Sequence, residues 1–576
     1  MKFLRRIAIG CALLAATSAC SREPERHSVL LITMDTTRAD VLGCYKGGKP
    51  GVTPSLEALA REAIVFDRAR TVAPLTQPAH ASMLTGLYPP RHGMRDNGLV
   101  PLPQSARTLA EAAHDAGYQT AAFLSAAVLD RVWGLAQGFD VYESPRSDAA
   151  HTTVLIHDRA ASETAEHALA WLARRDKQRP YFLWVHFFDP HSPYVPPKQF
   201  LDQAGGVEYL GEIAAMDHSI GRVIEALRAE GTLDETVVLA VSDHGESLGQ
   251  HGEPTHSTLC YEPTMKAPFL LRLPHAERGG TRSNDVVSVV DVLPTLLEAM
   301  ALDLPSSIDG VSVYTPGQVP GDRAVYFESY CGYLNFHWAP LAGVADARGK
   351  YLHTANPQLF DPEADPREKS DLLAQRAADA EKYRARLHAL IARPSLARDE
   401  EGAISDDAHA QIQALGYAGA GDPSADLPGP LDATDRPSPH ERTKELRAIH
   451  RATIAGEQGN RAEAIAALRE ILAENEKNAY ALDLLAKYSI DDGQVAEAIE
   501  LLRRRHALGK ARATSHLNLA RCLDRTGDLA GAADQYRIAL QERPDDPELL
   551  REFVGVLDRL GNESEARAFR ARLDKL

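Results

Sequence analysis

Four glycines, Gly459, Gly493, Gly527 and Gly561, fall 34 residues apart, and Ala464, Ala498, Ala532 and Ala566 follow them by five residues each. A period of that length leaves little choice of architecture. One such unit cannot bury its apolar face alone, so units stack and share one continuous core. Glycine suits the turn between two helices, and a small residue suits the place where helices cross. A generic bundle would not keep register over four periods. Residues 441–576 therefore read as an all-α array of helix pairs. Its role is open between a stabilising appendage and a concave surface for a protein partner.

The whole chain, at 576 residues, is too long for one ordinary domain. From 28 to 417, short β-branched runs alternate with amphipathic stretches. The runs at 29–32, 120–123, 181–185 and 237–241 are largely apolar, which suits strands covered on both faces by helices in an α/β layered sheet. Residues 422–440 carry five prolines and no apolar periodicity, so 418–440 read as a linker. The array beyond it resembles the tetratricopeptide repeat.

Hydrophobic residues make up 44% of the chain and charged residues 25%, as in a folded soluble body. The formal charge of -17 has no basic stripe to offset it, which argues against nucleic acid as a partner. At the start, Lys2, Arg5 and Arg6 precede an apolar run over 7–16 and the small residues Thr17, Ser18 and Ala19. This is the pattern of an export signal over 1–19. Cys20 follows at once, and the segment resembles the lipobox of bacterial lipoproteins. That resemblance implies an acylated Cys20, a tether over 20–27, and an exported protein anchored in the outer membrane facing the periplasm; an ordinary cleaved signal is the alternative. No later stretch reaches the ~20 apolar residues of a membrane helix, so attachment would be through lipid alone. The remaining cysteines, Cys44, Cys260, Cys331 and Cys522, show no CxxC spacing and no obvious disulfide framework.

Asp35 closes the first strand, Asp243 closes 237–241, and Asp189 follows the strand at 181. Three carboxylates thus sit where open α/β sheets place ligands, beyond the carboxyl ends of strands. Two stand beside histidines, in Asp189-Pro190-His191 and Asp243-His244-Gly245, and Asp with His at short spacing suits a borderline divalent metal. Thr76 opens Thr76-Gln77-Pro78-Ala79-His80, where Pro78 suits a first helical turn. The plain reading of Thr76 is a helix N-cap. The functional reading is a hydroxyl placed to meet a phosphate or sulfate, which a bound metal would make nucleophilic. His92 and His251 precede glycines in loops, His186 falls inside an apolar strand, and all three read as structural.

In their order along the chain these pieces resemble the sulfatase-like branch of the alkaline phosphatase superfamily. Asp35-Thr36-Thr37-Arg38-Ala39-Asp40 resembles the opening metal motif, Thr53-Pro54-Ser55-Leu56 the following helix start, and 76–86 the nucleophile signature. The segments 189–191 and 242–246, His256, Tyr261-Glu262, 291–295 and 359–372 follow in the family's order. The resemblance implies an alkaline-phosphatase-like, mostly parallel sheet between helices over 28–417, and a metal-dependent ester hydrolase. True sulfatases convert a Cys or Ser to formylglycine and follow it with Pro and Arg; here Thr76, Pro78 and His80 take those places, which makes His80 a candidate substrate contact. Threonine is not a substrate for that conversion. Sulfatases also bring two adjacent Asp to calcium, whereas Thr36 follows Asp35 here and His244 replaces an oxygen ligand. An imidazole argues for zinc, with manganese and calcium behind it.

A threonine nucleophile with Asp-His ligands resembles the phosphodiesterases and phosphoethanolamine transferases of the same superfamily. That resemblance puts Asp35, Thr76, Asp243 and His244 on one metal. It leaves His256, Asp189 and His191 as candidates for a second, with His191 equally readable as a substrate contact. Asn97, in Arg95-Asp96-Asn97-Gly98, lies where the phosphodiesterases place an Asn that stabilises the oxyanion; a plain turn is the alternative. The expected reaction is in-line displacement by Thr76 at phosphorus, through a phospho-threonine released by water or an acceptor alcohol. The substrate would be a small-molecule, glycan or lipid ester. A sulfatase working with unmodified Thr76 and a non-catalytic, repeat-based scaffold lipoprotein are the rivals.

Overall fold

The structure is a computed structural model that describes residues 26–145, 158–397, 427–509 and 511–576. The export signal and Cys20 lie outside the described residues. The four apolar runs become strands: β1 (Ser28–Met34), β3 (Gln119–Leu124), β5 (Tyr181–Phe187) and β6 (Thr236–Ser242). With β2 (Ile64–Arg70), β4 (Val141–Glu143), β7 (Phe269–Arg272) and β8 (Thr281–Ser288) they form one eight-stranded sheet in the order β4-β3-β5-β1-β6-β7-β2-β8. It is parallel except for β7, which runs antiparallel to both its neighbours.

Alternation along β1 sorts its side chains onto two helical layers. Leu30, Ile32 and Met34 pack with α1 (Pro54–Glu62), α4 (Ala161–Arg174) and α5 (Glu208–Glu230). Val29 and Leu31 face the other way, into a core that holds α2 (Thr76–Thr85), α3 (Leu109–Asp115) and α6 (Val292–Ala299). A second, antiparallel sheet follows: β9 (Val325–Ser329), β10 (Leu341–Ala345), β11 (Lys350–His353) and β12 (Gln358–Phe360), with α7 (Ala377–Ile391) packed on it.

Helix pairs then run to the end: α8 (Thr443–Glu457) with α9 (Arg461–Glu474), α10 (Ala479–Asp491) with α11 (Val495–Ala507), α12 (Ala513–Thr526) with α13 (Leu529–Glu542), and α14 (Pro547–Leu560) with α15 (Glu563–Leu573). The periodic glycines sit at the turns with φ of 73°, 74°, 85° and 74°, a region that costs other residues. All four periodic alanines are fully buried at helix crossings. Among the described residues no helix is long and apolar enough to cross a membrane, and Cys44, Cys260, Cys331 and Cys522 are unpaired.

Over its described part the proline-rich stretch is bonded to the hydrolase body. Tyr330 Oη donates to Pro428 O at 2.8 Å, Ala339 N to Pro437 O at 2.9 Å and Asn356 N to Ser438 Oγ at 2.6 Å. Proline-rich chain with few donors of its own is here held by donors of the hydrolase body. One apolar cluster also passes from Phe327, Trp338 and Leu341 of that body to Leu446, Ile449 and Leu482 of the array.

Buried charge closes the end of β2. Arg70 grips Glu262 with two bonds of 2.9 and 3.1 Å, and Lys350 Nζ stands 3.2 Å from the same carboxylate. Burial alone would raise the Glu262 carboxyl, but Arg70 and then Lys350 outweigh it and hold it at about 2. A carboxyl depressed in the fold stabilises above its ordinary value of 4.5, and that stability is lost as pH falls from 4.5 toward about 2. Arg70→Leu leaves Glu262 in contact with Lys350 alone and should cost about 3–5 kcal/mol. Denaturant unfolding at neutral pH checks the magnitude, and the same titration at about pH 3 should show a smaller gap between variant and wild type.

Candidate metal centre and active site

The alternation that sorts the core also aims the chemistry. Val29 pairs with Phe182 and Val237, Leu31 with Trp184 and Leu239, and Thr33 with His186 and Val241. These rows face the α2 layer, and continuing them by one step places Asp35 beside Asp243 at the carboxyl ends of β1 and β6, on the same side as His186. Helix α2 enters with all ten residues buried. Leu75, not Thr76, is its N-cap, and the Thr76 hydroxyl, as first helical residue, donates to Asp35 Oδ2 at 3.4 Å. The free N–H of Gln77 is met from outside by Asn97 Oδ1 at 2.9 Å, which leaves Asn97 Nδ2 buried without an acceptor.

Three buried atoms have no hydrogen-bond partner here: Asp35 Oδ1, Asp243 Oδ2 and His244 Nε2. His244 Nε2 lies 3.7 Å from Asp35 Oδ1 and 3.6 Å from Asp243 Oδ2. Tetrahedral ligands about 2.1 Å from an ion stand roughly 3.4 Å apart, so the donor set fits a divalent metal. His244 Nδ1 lies 2.9 Å from Gly245 O, which fixes the proton on Nδ1 and turns the Nε2 lone pair to the carboxylates. A Cβ at position 245 would collide with Pro263 O, so the glycine of Asp243-His244-Gly245 is a packing requirement. Burial raises the Asp35 carboxyl; burial and then the neighbouring Asp35 push Asp243 well up, and a cation reverses both. Thr36, where sulfatases carry a second Asp, donates its hydroxyl to Pro190 O and is no ligand.

A second group, His80, His186 and Asp243, also clusters. His80 Nδ1 lies 2.8 Å from Thr76 O, so it carries the proton, and burial holds the ring neutral with a pKa of about 3. Its 3.7 Å approach to Asp243 Oδ2 is therefore neither an ion pair nor a ligand geometry. His80 can touch substrate as a neutral ring but does not replace the charge of an arginine. His186, read from the sequence as structural, has both ring nitrogens buried without partners and places Nε2 3.4 Å from Asp35 Oδ2. Every residue of β5 is buried, so alternation alone does not reveal which side of the strand carries the chemistry.

Of the residues assigned to a second ion, Asp189 is elsewhere engaged. Its Oδ2 accepts from Ala161 N at 2.9 Å at the start of α4, and it joins neither cluster of metal-ligating atoms among the described residues. His191 stacks on Phe188 with centroids 4.1 Å apart and meets the edge of His256 at 5.2 Å. His256 lies 4.6 Å from the His244 ring, with Nδ1 3.3 Å from Glu246 Oε1, whose other oxygen accepts from Tyr194 Oη. Burial alone would depress His256, but Glu246 outweighs it and the imidazole is raised. His191 and His256 thus border the centre, with Glu246 and Tyr194 lying behind His256. His92 bonds Ser82 and His251 stacks on Tyr261; both are structural.

A helix-flanked α/β sheet that gathers a buried hydroxyl, two carboxylates and an imidazole beyond its strand ends defines a metal-dependent ester hydrolase. Residues 27–302 match the profile of the Sulfatase family, and 249–393 match that of the N-sulphoglucosamine sulphohydrolase C-terminal region. This part of the chain is thus similar to the sulfatase family of the alkaline phosphatase superfamily. A similar relative is the ulvan-active sulfatase of Formosa agariphila, 27% identical over 61% of this chain and 78% of the relative. The arylsulfatase of Clostridium perfringens is 24% identical over 66% and 95%, and the multifunctional alkaline phosphatase superfamily protein of Trinickia caryophylli 25% over 60% and 91%. The phosphonate monoester hydrolase of Agrobacterium radiobacter shares the fold at a TM-score of 0.53 and 23% identity, over 63% of this chain and 95% of that one.

The donor set predicts a measurable stabilisation. A divalent ion at a hundred times its Kd should stabilise the wild-type chain by about 2.7 kcal/mol. Thermal unfolding with zinc, manganese or calcium, after chelation, reads the gain and ranks the ions; His244→Ala and Asp243→Ala should abolish it. An equal gain in those variants would reject the assigned ligands.

Proposed function

We propose that the chain hydrolyses sulfuric esters with the unmodified hydroxyl of Thr76 as nucleophile, at one divalent metal. The observation that carries this reading is Thr76 Oγ1 itself, buried at the N-terminus of α2 and 3.4 Å from Asp35 Oδ2 within a sulfatase-family fold. A metal on Asp35, Thr76, Asp243 and His244 would stabilise charge on the attacking oxygen and lower its pKa; the nitrogen ligand favours zinc or manganese over calcium. Thr76 Oγ1 attacks sulfur and passes its proton toward Asp35 Oδ2 as the bond to the leaving oxygen breaks. His256, raised by Glu246, gives its proton to that oxygen. Water then attacks the sulfo-threonine and loses a proton to His256, and as the sulfur–Oγ1 bond breaks to release sulfate, Oγ1 takes its proton back from Asp35 Oδ2. The orphaned Asn97 Nδ2 supplies a donor to the charge that builds on the transferred group.

Sulfatases among the curated relatives support sulfate as the acid. A second reading, phosphonate monoesters or phosphodiesters, is favoured by the pairing of Thr76 with the nitrogen ligand His244. For the remaining regions, the reading is a tetratricopeptide-like array after the hydrolase and a Cys20 acylated for anchoring at a membrane facing the periplasm. The 34-residue glycine period and the small residues before Cys20 support it.

Full-length protein loaded in turn with zinc, manganese and calcium, assayed on aryl sulfates, aryl phosphonates, diaryl phosphates and aryl phosphates, is the test. The highest kcat/KM should fall on aryl sulfate, persist in Thr76→Ser and vanish in Thr76→Ala. Preference for a phosphorus ester would establish the second reading instead, and activity surviving Thr76→Ala would sink both. Asn97→Ala should lower kcat by about 10²–10³ with KM little changed.

A further inference from the structure

Beyond His191 and His256 opens a cavity of about 110 Å³. That volume is about that of four waters at ~30 Å³ each, more than a bare ion fills. Its near wall is the catalytic edge just described. Its far wall belongs to the repeat array: His450, Thr453 and Ile454 from α8 and Tyr480 from α10, with Phe336 of the hydrolase body between them.

This wall is held in place. Gly252 meets α8 so closely that a Cβ there would stand 2.7 Å from Thr443 Cβ. Trp338 Nε1 donates to Glu445 Oε2 at 3.2 Å, and Asn475 Nδ2 to Phe336 O at 2.7 Å. On the opposite side of the centre Arg512 Nη2 reaches Gly98 O at 3.3 Å, one residue from Asn97. Within the wall the Thr453 and Tyr480 hydroxyls bond each other at 2.7 Å, so their orientation is set before any ligand arrives.

We propose that the repeat array builds the leaving-group subsite of the hydrolase, and that Thr453, His450 and Tyr480 are specificity-determining residues for a ring-bearing alcohol. The inference rests on the hydrolase reading above. In that reading the acid half of the ester is consumed at Thr76 and the metal ligands, and the alcohol departs beside His256, where this cavity begins. Phe336, Tyr480 and His450 line the cavity with aromatic rings, and Thr453, Tyr480 and Thr258 add hydroxyls for polar substituents. The array therefore works on the substrate and is not only an appendage.

The experiment compares the full-length wild type with Thr453→Trp, which fills the cavity, and His450→Ala, which enlarges it. Ile538→Trp, on an exposed position of α13, is the control. Each is assayed on the single-ring p-nitrophenyl ester and the fused-ring 4-methylumbelliferyl ester of the best acid. Thr453→Trp should lower kcat/KM for the fused-ring ester by roughly tenfold or more while the single-ring ester changes by less than about threefold; His450→Ala should shift the ratio the other way, and the control should not move it. Parallel losses, or an unchanged ratio in both variants, would overturn the proposal while leaving the hydrolase reading intact. Binding of 4-methylumbelliferone, followed by its fluorescence, is independent of turnover. Weakened binding in Thr453→Trp supports the subsite even if no tested ester is hydrolysed, and equal binding in all variants overturns it.

Discussion

Asp35 and Asp243 stand side by side at the ends of paired strands, both fully buried, where like charges repel across a poorly screening interior. The imidazoles packed around them, His191 first, lower the Asp35 carboxyl, but burial outweighs them. Burial holds His80 and His186 near 3 and His191 near 4, and it holds His244 well below the usual imidazole value, so these rings are neutral and offer lone pairs or N–H groups instead of charge. Positive charge has to come from outside the chain. The rest of the centre follows from that demand: His244 is turned by Gly245 O to present a nitrogen, Thr76 brings a hydroxyl, and α2 points its N-terminus at the same place.

The hydrolase body and the repeats share one mechanical frame. Their common apolar cluster and the glycine contact at Thr443 tie α8 to the loop between His244 and His256, so motion of the array would be felt at the centre. An interface built this way differs from a flexible linkage, in which domains joined by a proline-rich segment move independently. It also explains why the described prolines at 428 and 437 lie bound: the segment between the bodies spans a surface whose N–H and hydroxyl donors need acceptors, and proline keeps its carbonyl while giving up its own donor.

The backbone plan was legible because it is local. Apolar runs closed by Asp35 and Asp243 announce strand ends, and the 34-residue glycine period announces helix pairs whose turns require positive φ. What escaped is non-local. Asp189 stands in a motif beside a histidine, yet the start of α4 claims its carboxylate, a partner that sequence order does not reveal. His186 hides in a strand buried on both faces, and only the packing of α2 tells which face is chemical. The roles of Thr453 and Tyr480 depend on a surface brought from more than a hundred residues away.

On the proposed reading, charge would also discriminate among substrates. On that reading, two carboxylates against a divalent ion leave no net charge at the centre. The cost of moving an ion out of water grows steeply with its charge, so a neutral centre admits a monoanion far more readily than a dianion. Sulfuric esters, phosphonate monoesters and phosphodiesters carry one negative charge, whereas a phosphate monoester carries about 1.5–2 near neutral pH. Within the monoanions the number of substituents decides. A phosphodiester must place two organic groups, a sulfuric ester only one, and the cavity between His256 and the repeat wall would take the alcohol of the proposed sulfuric ester.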